Sequence, residues 1–288
     1  PEITSLPPGI GDDSVVHLDE DAAYIYTITA TDPDPGDELS FEIIEGPDWL
    51  FLTDVEEAPR RDVLTTLPNR PNNDDLGSHT VSIRVRDGID DGALSGVQTF
   101  TLTVNNTNDV PEFVSQQTDV ELQQDELFSY NIEVNDVDVG ELAQVTLQLN
   151  APASLGLVLT DLGNGMGTLT GNPPNAAVGR NAVSIVASDQ IESSRQTFEM
   201  HVTNLNDAPE FISEPGVAEQ NGEYETNEGE LYEYVIVARD IDMEIDAQET
   251  ISFVVDGPDW LSRGAETATT LRLFGTPTNA EVGAHTIE

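Results

Sequence analysis

An internal repeat is the feature of this sequence that most constrains its fold. The segment Asn108-Asp109-Val110-Pro111-Glu112-Phe113 recurs as Asn206-Asp207-Ala208-Pro209-Glu210-Phe211, and the chain opens on the tail of the same segment, Pro1-Glu2-Ile3. Other landmarks recur in one order: an Asp-x-Asp pair, a Gly-Pro-Asp-Trp-Leu run and a Gly-x-Pro-x-Asn turn. Repetition in a constant order indicates copies of one structural unit. We predict three copies, at residues 1–108, 109–206 and 207–288, of which the third is truncated.

Apolar residues alternate with polar ones within each copy. Tyr24, Tyr26 and Ile28 alternate in the first copy, and Tyr130 and Ile132 do so in the second. Short alternating runs separated by Gly, Pro, Asn and Asp every ~8–12 residues predict antiparallel β-sandwiches of the immunoglobulin type. No run carries the 3.6-residue apolar stripe of an amphipathic helix. The predicted core also includes these residues of the Trp-Leu runs and later strands: Phe41, Ile43, Trp49, Val81, Ile83, Val85, Val97, Phe100, Leu102, Val104, Val183, Ile185, Ala187 and Trp260.

The charge balance excludes several classes of function. Ten arginines and no lysine stand against 55 Asp and Glu, which gives a formal net charge of −45. Such a surface repels nucleic-acid phosphates and anionic lipid headgroups, and it attracts divalent cations. The chain has no cysteine, so disulfides and thiolate zinc sites are excluded. No apolar run approaches the ~18 residues of a membrane span, and no catalytic motif occurs. We therefore predict a protein that is not an enzyme, with no nucleic-acid partner and no direct insertion into a membrane.

Acidic residues follow two strands whose loops meet at one end of an immunoglobulin-type sandwich. In that fold, the loops after the second and sixth strands lie at the end where the chain enters. Asp136, Asp138 and Asp189 occupy these loops in the second copy and should converge near Asn108-Asp109. We call the segment around Asn108-Asp109 junction one–two, and the segment around Asn206-Asp207 junction two–three.

Two acids of the first copy should face junction one–two from the other side. Glu20 precedes the second strand, and Asp75 lies in the loop before the sixth. Carboxylates gathered around one short linker repel one another unless a cation lies among them. Calcium takes six to eight hard oxygen ligands, whereas magnesium dehydrates reluctantly. The sequence therefore predicts a Ca²⁺ site at the junction.

These motifs resemble those of the cadherin-like repeats of large bacterial surface proteins, including the dystroglycan-type cadherin and bacterial Ig-like groups. The resemblance rests on the Asp-x-Asp pairs, the Asn-Asp-x-Pro linkers, the Asp-Trp-Leu triplets and Gly275-Thr276-Pro277, and it covers the whole chain. It implies a calcium site between neighbouring domains. The ligands of this site would be the linker, the Asp-x-Asp pair, the acid after the sixth strand and the acid before the second strand. The ligands implied at junction one–two are Glu20, Asn108, Asp109, Asp136, Asp138 and Asp189. Those implied at junction two–three are Asn206, Asp207, Asp240 and Asp242, and the counterparts in the first copy are Asp32, Asp34 and Asp87.

The sequence departs from this pattern at junction two–three. Gln124 stands where the other copies have Glu20 and Glu228, with Asp125 and Glu126 beside it as candidate substitutes. A second acidic position is also lost in the second copy, where Ala177 replaces the acid that the first and third copies have at Asp75 and Glu281. We expect junction two–three to bind fewer calcium ions, or to bind them more weakly.

The motifs together favour a calcium-rigidified stalk in an extracellular, adhesin-like protein of the cell surface. The resemblance implies cell adhesion and membrane association through other parts of a larger protein, with a second copy, a glycan or a protein as partner. The alternative is a ligand-binding β-sandwich of a secreted protein, which would grip a glycan or protein with exposed aromatic residues such as Tyr24, Tyr232 or Trp260.

Overall fold

A computed structural model of the chain describes residues 1–11, 14–34, 36, 38–55, 61–88, 95–138, 140, 144–215, 224–246 and 248–288. These residues form β-strands and three-residue 3₁₀ helices, and the strands assemble into five four-stranded sheets. The predicted all-β class is confirmed. The predicted boundaries of the copies stay a prediction. We use module one, two and three for residues 1–108, 109–206 and 207–288, and we call the Asn-Asp pair at each boundary, Asn108-Asp109 and Asn206-Asp207, the linker.

Module one is a sandwich of two sheets. In order of hydrogen-bonded neighbours, the first sheet contains β1 (Glu2–Ile3), β3 (Ile25–Thr31), β6 (Arg61–Thr65) and β5 (Phe51–Val55). The second contains β2 (Val15–Asp19), β8 (Ser95–Asn105), β7 (Gly77–Arg86) and β4 (Ser40–Glu45), and a 3₁₀ helix, Asn73–Asp75, precedes β7. This is the strand order of an immunoglobulin-type sandwich.

Module two repeats that order. Its first sheet contains β9 (Glu112–Phe113), β11 (Phe128–Asn135), β14 (Met166–Gly171) and β13 (Val158–Gly163). Its second contains β10 (Val120–Gln123), β16 (Ser193–Thr203), β15 (Gly179–Ser188) and β12 (Thr146–Asn150). Its 3₁₀ helices are Ala153–Leu155 and Asn175–Ala177.

In module three the described residues supply one sheet. Its strands are β17 (Glu210–Phe211), β18 (Tyr232–Arg239), β20 (Thr270–Gly275) and β19 (Leu261–Glu266), and its 3₁₀ helices are Asp242–Glu244 and Asn279–Glu281. The inner face of this sheet borders a cavity of about 1450 Å³.

One pairing differs from the antiparallel pattern that the sequence predicts. Strand β2 runs parallel to β8, with Val15 opposite Thr101 and Asp19 opposite Asn105, and β10 pairs with β16 in the same way. The reason is that the chain pairs first with one sheet, through β1 or β9, and then crosses to the edge of the other. The entering segments of modules one and two therefore each contact both sheets.

The predicted alternation of burial is confirmed with two exceptions. Tyr24, Tyr26 and Ile28 are buried in the first core, as is Trp49. Val97 is 54% exposed, because Phe100, Leu102 and Val104 set the inward face of β8 and residue 97 falls on the other face.

Trp260 is the second exception. It is half-buried and lies outside the third core, because no second sheet faces it within the described residues. Its ring packs edge-on against Tyr232, with centroids 6.0 Å apart.

A partly buried polar network, not predicted from the sequence, attaches the entering segment to both sheets. In module one, Tyr26 Oη lies 2.8 Å from Ser5 Oγ and 2.9 Å from Gln98 Oε1, and Ser5 Oγ accepts the Thr29 N–H. Ser115, Tyr130 and Gln196 repeat the arrangement in module two, at 2.8 and 2.9 Å. The network joins the segment after each linker to β3 and β8, or to β11 and β16.

Removing the hydroxyl of Tyr26 tests this network. Tyr26→Phe should lower the free energy of unfolding of module one by about 0.5–1.5 kcal/mol, because it removes hydrogen bonds to the partly buried polar groups of Ser5 and Gln98. Tyr24→Phe is the matched control: its hydroxyl is also buried but has no partner among the described residues, so its removal should not lower the free energy of unfolding. Urea unfolding, read from Trp49 fluorescence in a Trp260→Phe background, measures both. Equal losses in the two variants would contradict the network.

Candidate metal centre

Strand ends place the acidic residues. Strands β3, β11 and β18 end directly before Asp32, Asp136 and Asp240, and β7 and β15 end directly before Asp87 and Asp189. In each Asp-x-Asp pair the N–H of the second aspartate donates to Oδ1 of the first, over 2.7, 3.0 and 2.9 Å in modules one, two and three. All the predicted ligand positions lie within the described residues.

Three carboxylates from three parts of the chain meet at junction one–two. Glu20 belongs to module one, Asp109 to the linker and Asp138 to module two, and each has an oxygen within 4.8 Å of the others. Glu20 and Asp138 are each 3% exposed. Backbone N–H groups satisfy one oxygen of each: Thr107 donates to Glu20 Oε1 and Asp109 donates to Asp138 Oδ2, both over 2.7 Å.

The remaining oxygens of this group have no donor. Among the described residues, no hydrogen bond reaches these buried atoms: Glu20 Oε2, Asn73 Oδ1, Asn108 Oδ1, Asp136 Oδ2 and Asp138 Oδ1. An unsatisfied buried acceptor costs about 1–3 kcal/mol. Every one of these atoms is an oxygen acceptor, so the group that fits them is a cation with hard-ligand preference, such as calcium.

The charges around Asp136 oppose its ionisation. Burial is the main cause that raises its pKa above the usual range of an aspartate, and the charges of Asp138, Asp189 and Asp109 raise it further. The hydrogen bond from the Asp138 N–H acts in the opposite direction. Without a cation the junction therefore holds carboxylates that repel one another.

Asp189 is held ionised by donors. Burial raises its pKa, but hydrogen bonds from the N–H groups of Glu192 and Ile191 and from Asn108 Nδ2 outweigh it, and the net pKa is lowered. The Asn108 amide, 3.1 Å from Asp189 Oδ2, attaches the linker to module two.

Asp75 lies outside the acidic group, and Asn73 takes its place. The Asp75 carboxylate accepts the Asn72 N–H over 3.0 Å and caps the 3₁₀ helix, as the Glu281 carboxylate does for Thr278. Asn73 Nδ2 instead reaches Asp109 Oδ2 at 2.7 Å. Asn73 could have been found from the sequence, because the corresponding 3₁₀ helix begins with an asparagine in all three modules, at positions 73, 175 and 279.

The acids of module one take the same places as their counterparts in module two. Asp32 and Asp34 follow β3, and Asp87 follows β7.

Junction two–three has a different composition. Asp240, Asp242 and Glu249, all after the linker, have oxygens within 4.8 Å of one another. The Asp207 N–H donates to Asp242 Oδ2 over 2.5 Å. Asn206 is exposed, and within the described residues its side-chain amide donates only to the Asp207 carbonyl. The sequence analysis missed Glu249, since no repeat marks it.

The two candidate substitutes for Gln124 do not join this group. Asp125 and Glu126 are exposed, and the Glu126 carboxylate accepts the Gln123 N–H over 3.0 Å. Glu228 is likewise exposed.

The helices in the described part of the chain are all too short to cross a bilayer.

No protein-family model and no curated protein matches the chain. Among solved structures, the chain is similar to an endo-fucoidan hydrolase of glycoside hydrolase family 107, at 19% identity over 91% of the chain with a TM-score of 0.31, and it spans 38% of that protein's length. Mouse cadherin-23 EC22-24 is 15% identical, with 95% of this chain and 88% of that chain covered and a TM-score of 0.49. The I67-I69 fragment of titin is 13% identical, with 95% and 89% covered and a TM-score of 0.37. These likenesses are too distant to assign a family or an activity, and the fold rests on the chain's own strand order.

The raised pKa of Asp136 predicts how stability depends on pH in calcium-free buffer. An aspartate with a raised pKa contributes stability that is full below its ordinary value of about 3.9 and is lost as the pH rises through the raised value. Asp136→Asn should therefore reduce the loss of thermal stability between pH 4 and 7, by calorimetry of the full chain. Glu121→Gln, which neutralises an exposed carboxylate of β10, is the control. The same slope in Asp136→Asn and in the wild type would contradict this account.

Proposed function

We propose that the chain is a non-catalytic, calcium-binding repeat array that acts as a rigid extender in an extracellular, adhesin-like surface protein. One observation carries the proposal: the carboxylates of Glu20, Asp109 and Asp138 lie within 4.8 Å of one another although they belong to module one, the linker and module two. A ligand that contacts all three connects both modules through the linker.

The available ligands suit calcium in number and chemistry. Oxygens without a hydrogen-bond donor come from Glu20, Asn73, Asn108, Asp136 and Asp138, and Asp109 adds a carboxylate. Six to eight oxygens, carboxylate and carbonyl mixed, are the usual set for calcium. When bound, the ion would supply the positive charge that offsets the repulsion among these groups.

The mechanical consequence follows from where these residues are attached. Glu20 directly follows β2, and Asp138 lies in the loop after β11, so each is fixed to the framework of its own module. Repulsion between them favours a wide range of angles at the linker. When residues of both modules bind the same ion, that range of angles becomes narrower. A stalk built from such junctions would then extend in the presence of calcium.

The extracellular setting belongs to the same proposal. A net charge of −45 with no lysine keeps the surface hydrated and suits a medium in which salt screens self-repulsion, such as seawater or brine. The stalk would hold a distal domain away from the cell, and contact with a second copy, a glycan or a protein would be made elsewhere in the parent protein.

The ligand-binding alternative is less well supported. Tyr24 is buried in the first core, and Tyr232 and Trp260 line the open cavity of module three. That cavity borders the inner face of a sheet without a partner sheet in the described residues, and Tyr232 and Trp260 are half-buried there rather than exposed on an outer surface.

Calcium titration of the full chain tests the proposal. We expect binding at about 10⁻⁵ to 10⁻³ M by calorimetry, the range from sensor to extracellular sites, together with an increased radius of gyration by small-angle scattering. The double variant Asp136→Ala plus Asp138→Ala should lose binding at junction one–two and the extension with it. Glu121→Ala plus Glu133→Ala removes the same charge from exposed strand positions of module two and should change neither. An identical scattering profile in calcium and in chelator would refute the proposed function.

A further inference from the structure

We propose that Gln124 makes junction two–three independent of calcium, so that the chain contains one junction that responds to the ion and one that is permanently closed. The inference rests on the proposed function, because it concerns how the two junctions differ in their response to the same ion. Its basis is the hydrogen bonding of Glu20 and Gln124. These residues occupy equivalent positions in modules one and two, but their side chains have different hydrogen-bond partners.

The backbone around the two residues is the same. The Glu20 N–H donates to Asn105 O over 3.0 Å, and the Gln124 N–H donates to Thr203 O over 2.9 Å. Each residue is followed by an aspartate with a left-handed φ, 57° at Asp21 and 60° at Asp125. With exposures of 3% and 2%, both side chains are buried. The two sites therefore differ in the group at the end of the side chain.

At junction one–two the Glu20 carboxylate is half satisfied. Oε1 accepts the Thr107 N–H over 2.7 Å, and Oε2 has no donor among the described residues. The carboxylates of Asp109 and Asp138 each have an oxygen within 4.8 Å of a Glu20 oxygen. Closing this junction brings like charges together, so closure requires a cation.

At junction two–three the Gln124 amide is fully satisfied. Oε1 accepts the Leu205 N–H over 3.2 Å, the counterpart of the Thr107 contact, and Nε2 donates to Asp207 Oδ2 over 2.9 Å. The reverse orientation of the amide would place its oxygen against the carboxylate and its NH₂ against the N–H, so the contacts determine the orientation. A direct hydrogen bond to a charged acceptor replaces the contact that needs an ion at junction one–two.

A second amide adds to the same bridge. Asn175 of module two is 7% exposed, and its Nδ2 lies 3.4 Å from Asp242 Oδ1. The corresponding amide at junction one–two, Asn73, contacts the linker aspartate instead. Module two thus reaches both the linker and module three through neutral donors.

The three acids that lie close together at junction two–three all belong to module three. Asp240, Asp242 and Glu249 all follow the linker. Burial raises the pKa of Glu249, and the charges of Asp240, Asp242 and Asp246 raise it further, as expected of a carboxylate held among others. A cation bound there would be held by module three, and its removal would leave the Gln124 hydrogen bond to Asp207 in place.

An exchange of the two residues tests the inference. The chain has no cysteine, so pairs of spin labels can be introduced at exposed positions: Val97 with Thr197 across junction one–two, and Thr160 with Ser262 across junction two–three. Pulsed electron resonance then gives the distance distribution in EGTA and in CaCl₂. In the wild type, calcium should narrow the first distribution and leave the second unchanged.

The variants should reverse this pattern. In Gln124→Glu, the distance distribution across junction two–three should be broader than that of the wild type in EGTA, and CaCl₂ should narrow it. In Glu20→Gln, calcium should no longer change the distribution across junction one–two. Gln123→Glu adds the same charge at an exposed neighbouring position and should have no effect. If Gln124→Glu does not fold, Gln124→Ala, which removes both hydrogen bonds, should broaden the second distribution in EGTA.

The outcomes separate this inference from the proposed function. If calcium narrows both wild-type distributions, junction two–three needs the ion and the inference is overturned, while the proposed function stands. If calcium narrows neither, the proposed function fails. In that case, if Gln124→Ala also leaves the distance distribution across junction two–three in EGTA unchanged, Gln124 does not hold that junction closed and the inference is overturned as well.

Discussion

The arrangement of this chain depends on oxygen atoms that face one another at the linkers with no donor between them. Two unit charges 4.8 Å apart repel by roughly 3 kcal/mol at an effective dielectric constant of 20. A small domain is stable by only about 5–15 kcal/mol, so one such contact is a considerable part of that total. The carboxylates can stay close when a positive ion or a hydrogen-bond donor lies between them. The two junctions use the same backbone framework and differ in which of these they require.

The framework itself could be read from the sequence. Period-two alternation identified β3, β7 and β11, and the positions of Asp136 and Asp189 after strands followed from the loop order of an immunoglobulin-type sandwich. The alternation failed at Val97, where three apolar residues later in β8 determine the inward face. It also failed to predict that β2 and β10 pair in parallel, because pairing partners depend on where the chain crosses between sheets.

The chemistry at the junctions was only partly predictable. Asp75 looked like a ligand by position, yet it caps a helix, and Asn73 two residues earlier faces the linker. Two residues of a 3₁₀ helix span about two-thirds of a turn, so these side chains point in different directions, and no period in the sequence reports it. Gln124 was visible as a departure from the pattern, but its effect depends on which amide atom contacts Asp207, and the sequence does not specify this.

The parallel pairing of β2 with β8 also bears on how the array would carry a load. The chain enters a module beside β2 and leaves it at the end of β8, and the register runs from Val15 opposite Thr101 to Asp19 opposite Asn105. Tension applied between neighbouring modules pulls these two strands in opposite directions along their length. Their hydrogen bonds are then strained together rather than opened one after another. Modules one and two would each resist being pulled apart in the direction in which a stalk is stretched.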